Sequence, residues 1–334
     1  MAGTYGKIVG WGAYAPDNVV TNHDLAQRWD TSHEWIVQRT GIEERRFARP
    51  GETTHQMGVR AARRALAVAG VGAADLDLII VATTSPDYMT PPLSSQVQAT
   101  LGADGVPAFQ LMTGCSGFMY ALTVAYQFIG TGAYGRILVV AAEMLSRFMV
   151  AADRTTGVLF GDAAGAVVIE ATERPCGLLG FDLGSDGASG HNLVISMGES
   201  DEIETVTANG ERYQVYMNGR EVFKFATRIV HQSCYRALAQ AGLTLQDVDW
   251  IVPHQANMRI IQAAARAMDV PVERFLVNIA RYANTSAASV PLVLVENLDN
   301  GTIKPTDTVL MVAFGAGLTW GTAVVQLQPD SHEA

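Results

Sequence analysis

The chain has only three cysteines in 334 residues, Cys115, Cys176 and Cys234. Their number is odd and their spacing wide, so neither a disulfide framework nor a zinc site is expected. Charge is also scarce. Asp, Glu, Lys and Arg make up 17% of the residues, and the balance is acidic, with a net charge of -10. Broad nucleic-acid binding needs a basic face, which such a chain lacks. No uninterrupted apolar run approaches the ~18 residues of a membrane span. The opening MAGTYGKIVGWGAY has no long apolar core of the signal-peptide kind. Gly-Trp-Gly at 10–12 lacks the third glycine of a dinucleotide fingerprint, and no Walker-type lysine loop exists. No His/Cys pair has ligand spacing, so no metal is expected. These absences predict a soluble, reduced, cytoplasmic protein with no membrane or nucleic-acid partner.

What is present is apolar residues, 49% of the chain, and length. The length is about twice that of a usual domain, which predicts two domains or one double unit. Segment 64–81, RALAVAGVGAADLDLIIV, matches segment 236–253, RALAQAGLTLQDVDWIVP, at nine of eighteen ungapped positions. Each reads as a helix end, a glycine C-cap (Gly70, Gly242), a polar turn with two aspartates and a buried strand. Weaker echoes pair 135–144 with 307–317, and 161–170 with 317–327. Duplication of an α/β unit is the reading, with halves at 1–173 and 174–334 and helices covering a mostly buried sheet in each. The polar stretch 199–214 is expected to be a surface excursion.

The stretch AFQLMTGCSGFMYAL at 108–122 places Cys115 between glycines, where a short strand turns into a helix apolar nearly all round. A sulfur in the first turn of a buried helix meets unpaired N–H groups and a positive dipole end, which favour a thiolate. Gly114 and Gly117 would let backbone approach closely. The alternative is a small core cysteine. His254 follows the apolar strand DWIV and so stands at a strand's C-terminal edge, a usual place for chemistry in α/β sheets. Asn284 precedes an apolar helix whose first turn carries Thr285 and Ser286. Alone, His254 also reads as a satisfied strand-end histidine and Asn284 as an ordinary N-cap. Arg220, Lys224 and Arg228 recur every four residues on one helix face, a basic stripe in an acidic chain.

GCSGF around Cys115, VPHQANMRII around His254 and NTSAASVP around Asn284 occur in the order and approximate spacing of β-ketoacyl-ACP synthase III. The chain resembles that family from GAYAPDNVVTNHDLA to AFGAGLTWGTAVV, nearly end to end. The resemblance implies a thiolase-like α/β fold, duplicated in five α-β-α-β-α layers, usually a homodimer. It implies decarboxylative Claisen condensation of an acyl-CoA primer with malonyl-ACP, initiating fatty-acid synthesis, with no cofactor.

The same resemblance assigns the roles. Cys115 would carry the acyl group, and His254 and Asn284 would donate hydrogen bonds to the enolate. The N–H groups of Cys115 and Ala316 would form the oxyanion hole. Trp35, Arg39 and Arg154 would hold the CoA adenine and phosphate, and Asn257 the pantetheine arm. Independently of the resemblance, the stripe Arg220, Lys224 and Arg228, with Arg259, would make a basic docking patch for an acidic partner such as the carrier protein. Thr90, reaching from one subunit into its partner's pocket, with Met112 and Phe314, would bound the acyl pocket. Thr90 stands where acetyl-CoA-specific members carry a bulky aromatic. Met112, Thr113 and Gly114 replace small alanine-like residues before the nucleophile, Ala283 stands where Gly is frequent, and Ala316 replaces a Gly. The competing functions are an acyltransferase or condensing enzyme of specialised metabolism with another acceptor, and a non-catalytic partner subunit. The intact His254–Asn284 pair and the presence of Cys115 weigh against them. Thiolase itself is disfavoured, since no second cysteine sits in a catalytic motif near the C-terminus.

Overall fold

Helix Thr54–Ala69 ends at Gly70 and helix Gly219–Ala241 at Gly242, both glycines left-handed with φ 67° and 69°. In each, two backbone bonds close the end: Gly70 N–H to Ala67 O and Val71 N–H to Leu66 O, then Gly242 N–H to Ala239 O and Leu243 N–H to Leu238 O. A side chain would resist that backbone, so glycine ends both helices. The two aspartates of each turn divide the same labour. Asp75 and Asp247 cap a short 3-10 turn. Asp77 accepts the N–H groups of Gly135 and Arg136, and Asp249 that of Thr308, fastening each turn to a neighbouring strand.

The structure, a computed structural model, describes residues 4–149, 154–196 and 214–326. The expected polar excursion at 199–214 lies outside the described residues, apart from the backbone of Gln214. The chain begins with β1 (Tyr5–Tyr14), β2 (Val19–Thr21), α1 (Asn22–Ala26), α2 (His33–Thr40), β3 (Glu44–Arg46) and α3 (Thr54–Ala69). It continues through β4 (Leu78–Ala82), α4 (Leu93–Leu101), β5 (Ala108–Leu111), α5 (Gly117–Gly130), β6 (Arg136–Met144), α6 (Arg154–Gly157) and β7 (Asp162–Thr172). Then come β8 (Gly177–Ser185), β9 (Leu193–Ser196), β10 (Gln214–Met217), α7 (Gly219–Ala241) and β11 (Trp250–Pro253). The last are α8 (Met258–Met268), α9 (Ile279–Tyr282), α10 (Ser289–Asp299), β12 (Thr308–Gly315) and β13 (Thr319–Gln326).

Of the two large sheets, one has the order β1-β7-β6-β4-β5 and the other β11-β12-β13-β8, with β2-β3 and β9-β10 as two-stranded pairs. Read as β1-β7-β6-β4 against β8-β13-β12-β11, the pairings are antiparallel, antiparallel and parallel in both. The first sheet's last strand ends at Thr172 and the second's first begins at Gly177.

Five layers result, as the thiolase fold requires. The outer core of the first sheet packs α3 and α4 on Ile79 and Val81, while Leu78, Ile80 and Ala82 face α5 and α10 in the middle. In β12, Val309, Met311 and Ala313 face that middle layer, and Leu310, Val312 and Phe314 face α7 and α8. Both faces of each strand are covered, which is why these strands read as continuous apolar runs rather than alternating ones. Helix α5 is apolar nearly all round because it lies between the sheets. No helix among the described residues is long and apolar enough to cross a membrane.

Candidate active site

The turn carrying Cys115 joins β5 to α5, and it meets the turn after β12 backbone to backbone. A side chain at Gly114, whose φ is 58°, would lie 2.8 Å from Ala316 N and O. One at Gly315 would lie 2.5 Å from Cys115 N. Only glycine fits either place. The Ser116 hydroxyl bonds Thr113 O at 2.7 Å and Thr319 Oγ1 at 2.9 Å, tying the two turns together.

Cys115 stands just before α5, whose N-cap is Ser116, and not in its first turn. The expected thiolate is not favoured either. Cys115 is half-buried as a residue, and desolvation of its sulfur pushes the thiol up to about 12. The nearby Glu143 charge adds to the rise, while the Ser286 hydroxyl and the N–H groups of Cys115 and Ala316 pull the other way. Removal from water outweighs the donors at the helix end. Those two backbone N–H groups are near enough to the sulfur to favour its charged form. Cys176 and Cys234 are buried packing residues.

His254 leaves the end of β11 with its N–H on Val312 O at 2.7 Å. The residue is 2% exposed, and burial lowers its pKa to about 3, so the imidazole is neutral. Its Nδ1 lies 2.6 Å from Ser289 Oγ, and Phe314 meets the ring edge-on. Ser289 Oγ also takes the Gln255 N–H at 3.4 Å. Nδ1 is then the acceptor left for the hydroxyl proton among the described residues, so the hydrogen-bond network assigns the ring proton to Nε2. Nε2 is buried and has no hydrogen-bond partner among the described residues.

Asn284 is not a helix N-cap. Its Oδ1 accepts the Ser286 N–H at 2.8 Å in a local turn, and Thr285 and Ser286 belong to a 3-10 turn ahead of α10. Backbone bonds to Leu159 and Gly161 strap it across the site. With Oδ1 occupied, the Nδ2 donor is the free end of the amide.

Cys115, His254 and Asn284 line one cavity of about 570 Å³ with Ser286, Phe314 and Ala316. Its apolar wall includes Leu145, Val158, Leu193, Ile195, Val215 and Met217. The β9–β10 hairpin part of that wall was missed in the sequence, since two four-residue strands flanking a polar stretch give almost no periodic signal. Glu143 was missed because a buried acid carries no motif, and Ser289, though inside the NTSAASVP stretch, because its spacing from His254 says nothing of their contact.

Trp35, Arg39 and Asn257 line the cavity mouth. Arg39 stacks over the Trp35 ring at 4.8 Å and Arg154 at 5.5 Å, the latter also paired with Asp30. Asn257 caps α8 through Arg259 N–H and donates to Arg39 O, so much of its amide is already engaged. Arg220, Lys224 and Arg259 also stand at the mouth, and Lys224 pairs with Glu221 at 2.7 Å. Arg228 does not join them. It lines a separate depression with Asp182 and Asp186, because a four-residue step drifts about 40° around a helix of 3.6 residues per turn. Met112 is a second correction. It is 56% exposed and does not line the cavity, so it fills no space beside Cys115. Phe314 does line it, while Thr90 is exposed and lies outside this chain's own cavity.

Family models for 3-oxoacyl-[acyl-carrier-protein] synthase III match residues 109–187 and, for its C-terminal part, 238–327. The β-ketoacyl-[acyl-carrier-protein] synthase III of Geobacillus kaustophilus is 48% identical over 319 residues, 96% of this chain and 98% of that one. The crystal structure of 3-oxoacyl-[acyl-carrier-protein] synthase III from Aquifex aeolicus superposes with a TM-score of 0.88 at 43% identity, covering 96% of this chain and 99% of that one. A priming β-ketosynthase of a polyketide biosynthetic pathway gives 0.91 at 37% identity, covering 97% and 96%.

Proposed function

The chain belongs to the β-ketoacyl-ACP synthase III family, a family of condensing acyltransferases that start fatty-acid synthesis, and from that premise we propose how its residues divide the reaction. Cys115 attacks the thioester carbonyl of an acyl-CoA and becomes the acyl-enzyme. The Cys115 and Ala316 N–H groups, on two turns packed backbone to backbone, hold the oxygen of the tetrahedral intermediate. CoA leaves and malonyl-ACP enters. His254 Nε2–H and Asn284 Nδ2–H then donate to the malonyl thioester oxygen, stabilising the enolate as CO₂ departs. The enolate carbon attacks the acyl-Cys carbonyl and releases 3-oxoacyl-ACP. Neutral donors suit this step, because they gain strength as charge develops on oxygen.

The observation that carries this reading is the convergence on one cavity of a nucleophile from the first half and two unengaged donors from the second. Apolar lining fits an acyl chain, and the Trp35, Arg39 and Arg154 cluster fits an adenine nucleotide. The reaction so read calls on no cofactor beyond its two thioester substrates. The three cysteines are free, which suits a cytoplasmic setting.

A homodimer is part of the proposal. Among the described residues β5 is an unpaired sheet edge, and Phe109 on it, Met112 just after it and Tyr88 and Met89 of the loop before α4 are 36%, 56%, 60% and 76% exposed. Apolar exposure along a bare edge invites pairing with a second copy, which would bring Thr90 to the partner's cavity. The likeness to a polyketide priming ketosynthase favours a second reading, the same chemistry in specialised metabolism.

The test is intact-mass measurement with a panel of acyl-CoAs, then malonyl-ACP. One acyl mass on Cys115, discharged by malonyl-ACP as 3-oxoacyl-ACP, is expected. Acylation on Cys176 or Cys234 would sink the mechanism.

A further inference from the structure

Glu143, at the end of β6, is fully buried and has no part in the chemistry above. Its Oε1 accepts the hydroxyls of Ser286 at 3.0 Å and Thr84 at 2.9 Å. Its Oε2 accepts that of Ser85 at 2.5 Å, and the Thr84 N–H reaches both oxygens at 3.1 Å. Every partner can donate, which supports an ionised carboxylate there against the cost of burial. No cation among the described residues pairs with it. The residue that bridges it to the cavity is Ser286. Its backbone sits at φ 50°, a region side chains avoid; its hydroxyl bonds Glu143 Oε1, and it lines the cavity together with Cys115, whose thiolate it favours.

We propose that Ser286 and Glu143 form the path that accepts the Cys115 proton as the sulfur attacks. The inference rests on Cys115 being the nucleophile, as read above. The sulfur lone pair forms the new C–S bond to the thioester carbonyl. The thiol proton passes to Ser286 Oγ while the Ser286 hydroxyl proton passes to Glu143. The tetrahedral intermediate expels CoA as a thiolate, which takes the proton back along the same path and leaves as the thiol. Atoms and charge balance with no further reactant.

The need for such a path follows from the site. A thiol pushed up to about 12 does not ionise unaided at neutral pH. His254 is a poor acceptor, because burial depresses its pKa and Nε2 already bears a proton. Glu143 is the reverse case, since burial raises its affinity for a proton. The other ionisable groups on the elements packed around it are turned elsewhere. Asp162 of β7 accepts from Ala48 and Ser146, and Arg147 pairs with Asp87. On α5, Tyr120 donates to Gly184 O, and on α3, His55 bonds Thr100.

A neighbour that merely held this turn together would behave differently, and the sign of one measurement separates the two. The negative charge on Glu143 opposes a thiolate on Cys115. If that is its whole influence, Glu143→Gln makes Cys115 easier to ionise. If Glu143 is the proton acceptor, the same change removes the thiolate–carboxylic acid form and makes Cys115 harder to ionise. The experiment is iodoacetamide alkylation of the full chain across pH 6–10, followed by intact mass, beside single-turnover acylation by butyryl-CoA. In Glu143→Gln both rates should fall near neutral pH, acylation by ~10²-fold, and both should recover as hydroxide takes over at high pH. Ser286→Gly, which keeps the φ of the turn, should change both rates in the same direction. Unchanged or faster alkylation at neutral pH in Glu143→Gln overturns the proposal. If that variant does not fold, the same outcome in Ser286→Gly overturns it. A wild type that is alkylated on Cys115 but accepts no acyl-CoA refutes the acyl-enzyme reading instead, and the alkylation comparison still decides the relay.

Discussion

Asn284 gives its side-chain oxygen to the backbone N–H of Ser286, 2.8 Å away, and so presents its amide N–H₂ to the cavity. One hydrogen bond thereby decides that this residue donates rather than accepts. Asn284→Asp keeps the bond to Ser286 but replaces the donor with an anionic oxygen. Malonyl-ACP decarboxylation, followed as CO₂ release, should drop by ~10²-fold or more, and His254→Ala should do the same. Acylation of Cys115 should survive better in Asn284→Asp. Equal loss of both half-reactions in that variant would contradict the division of labour.

The pH behaviour of His254 departs from that of an ordinary histidine. Its folded-state pKa, about 3, lies well below the ordinary histidine value of 6.5, because burial disfavours the charged ring. As pH falls the unfolded chain binds this proton first. Stability on this account is full above about pH 6.5 and drains toward pH 3, by a few kcal/mol at most. Glu143, with a raised pKa, works in the opposite direction. Urea denaturation at pH 7 and pH 4.5 should therefore show a smaller loss for His254→Gln than for the wild type. An equal loss in the two proteins would show that His254 is not held neutral.

Docking of the carrier protein should depend on three of the four basic residues read from the sequence. Arg220→Glu, Lys224→Glu or Arg259→Glu at the mouth should raise the apparent KM for malonyl-ACP by ~10-fold, and salt should weaken the wild type in the same sense. Arg228→Glu, in its separate depression, should change little. Lys224→Glu should leave acylation by acyl-CoA almost unaltered. KM values indifferent to all these changes and to salt would leave the patch a solvated face.

Primer length should follow Thr90. In the proposed homodimer, a small Thr90 where an aromatic would close the partner's pocket floor would leave room for several methylenes. Each buried CH₂ contributes about 0.8 kcal/mol, so four more carbons favour the longer primer by ~10²-fold or more. Met112 does not line this chain's cavity, so it does not narrow it. Medium or long primers should be preferred over acetyl-CoA, and Thr90→Phe should shift the profile toward short ones. An acetyl-CoA preference unmoved by Thr90→Phe would remove Thr90 from the pocket.

Ala283 adopts φ 56° and ψ −153°, a conformation that suits glycine. Ala283→Gly relieves that strain and gives back part of the gain through the freer unfolded chain. A net gain of about 1 kcal/mol is expected, read as a midpoint shift in urea denaturation. A destabilised variant would show that the backbone here is not strained.

Much of the fold was legible because it rests on local rules. Gly70 and Gly242 terminate two helices for the same conformational reason, and the aspartates after them staple the same turn to a strand. The continuous apolar runs of β4 and β12 report coverage on both faces. The Arg220–Lys224–Arg228 stripe was legible as a face but not as a site, since the drift of the helix carries Arg228 away from the mouth.

The sequence by itself determined the duplicated architecture, the placing of Cys115 at a strand–helix turn and, through its motifs, the His254 and Asn284 partners. These depend on backbone conformation and on hydrophobic periodicity, which act over a few residues. Only the tertiary structure decided the state of each group. The thiol is pushed up rather than ionised, the imidazole is neutral, the Asn284 amide is turned outward, and Glu143 and Ser289 stand behind them. Such properties are set by desolvation and by hydrogen bonds between residues far apart in the chain, so no local pattern encodes them.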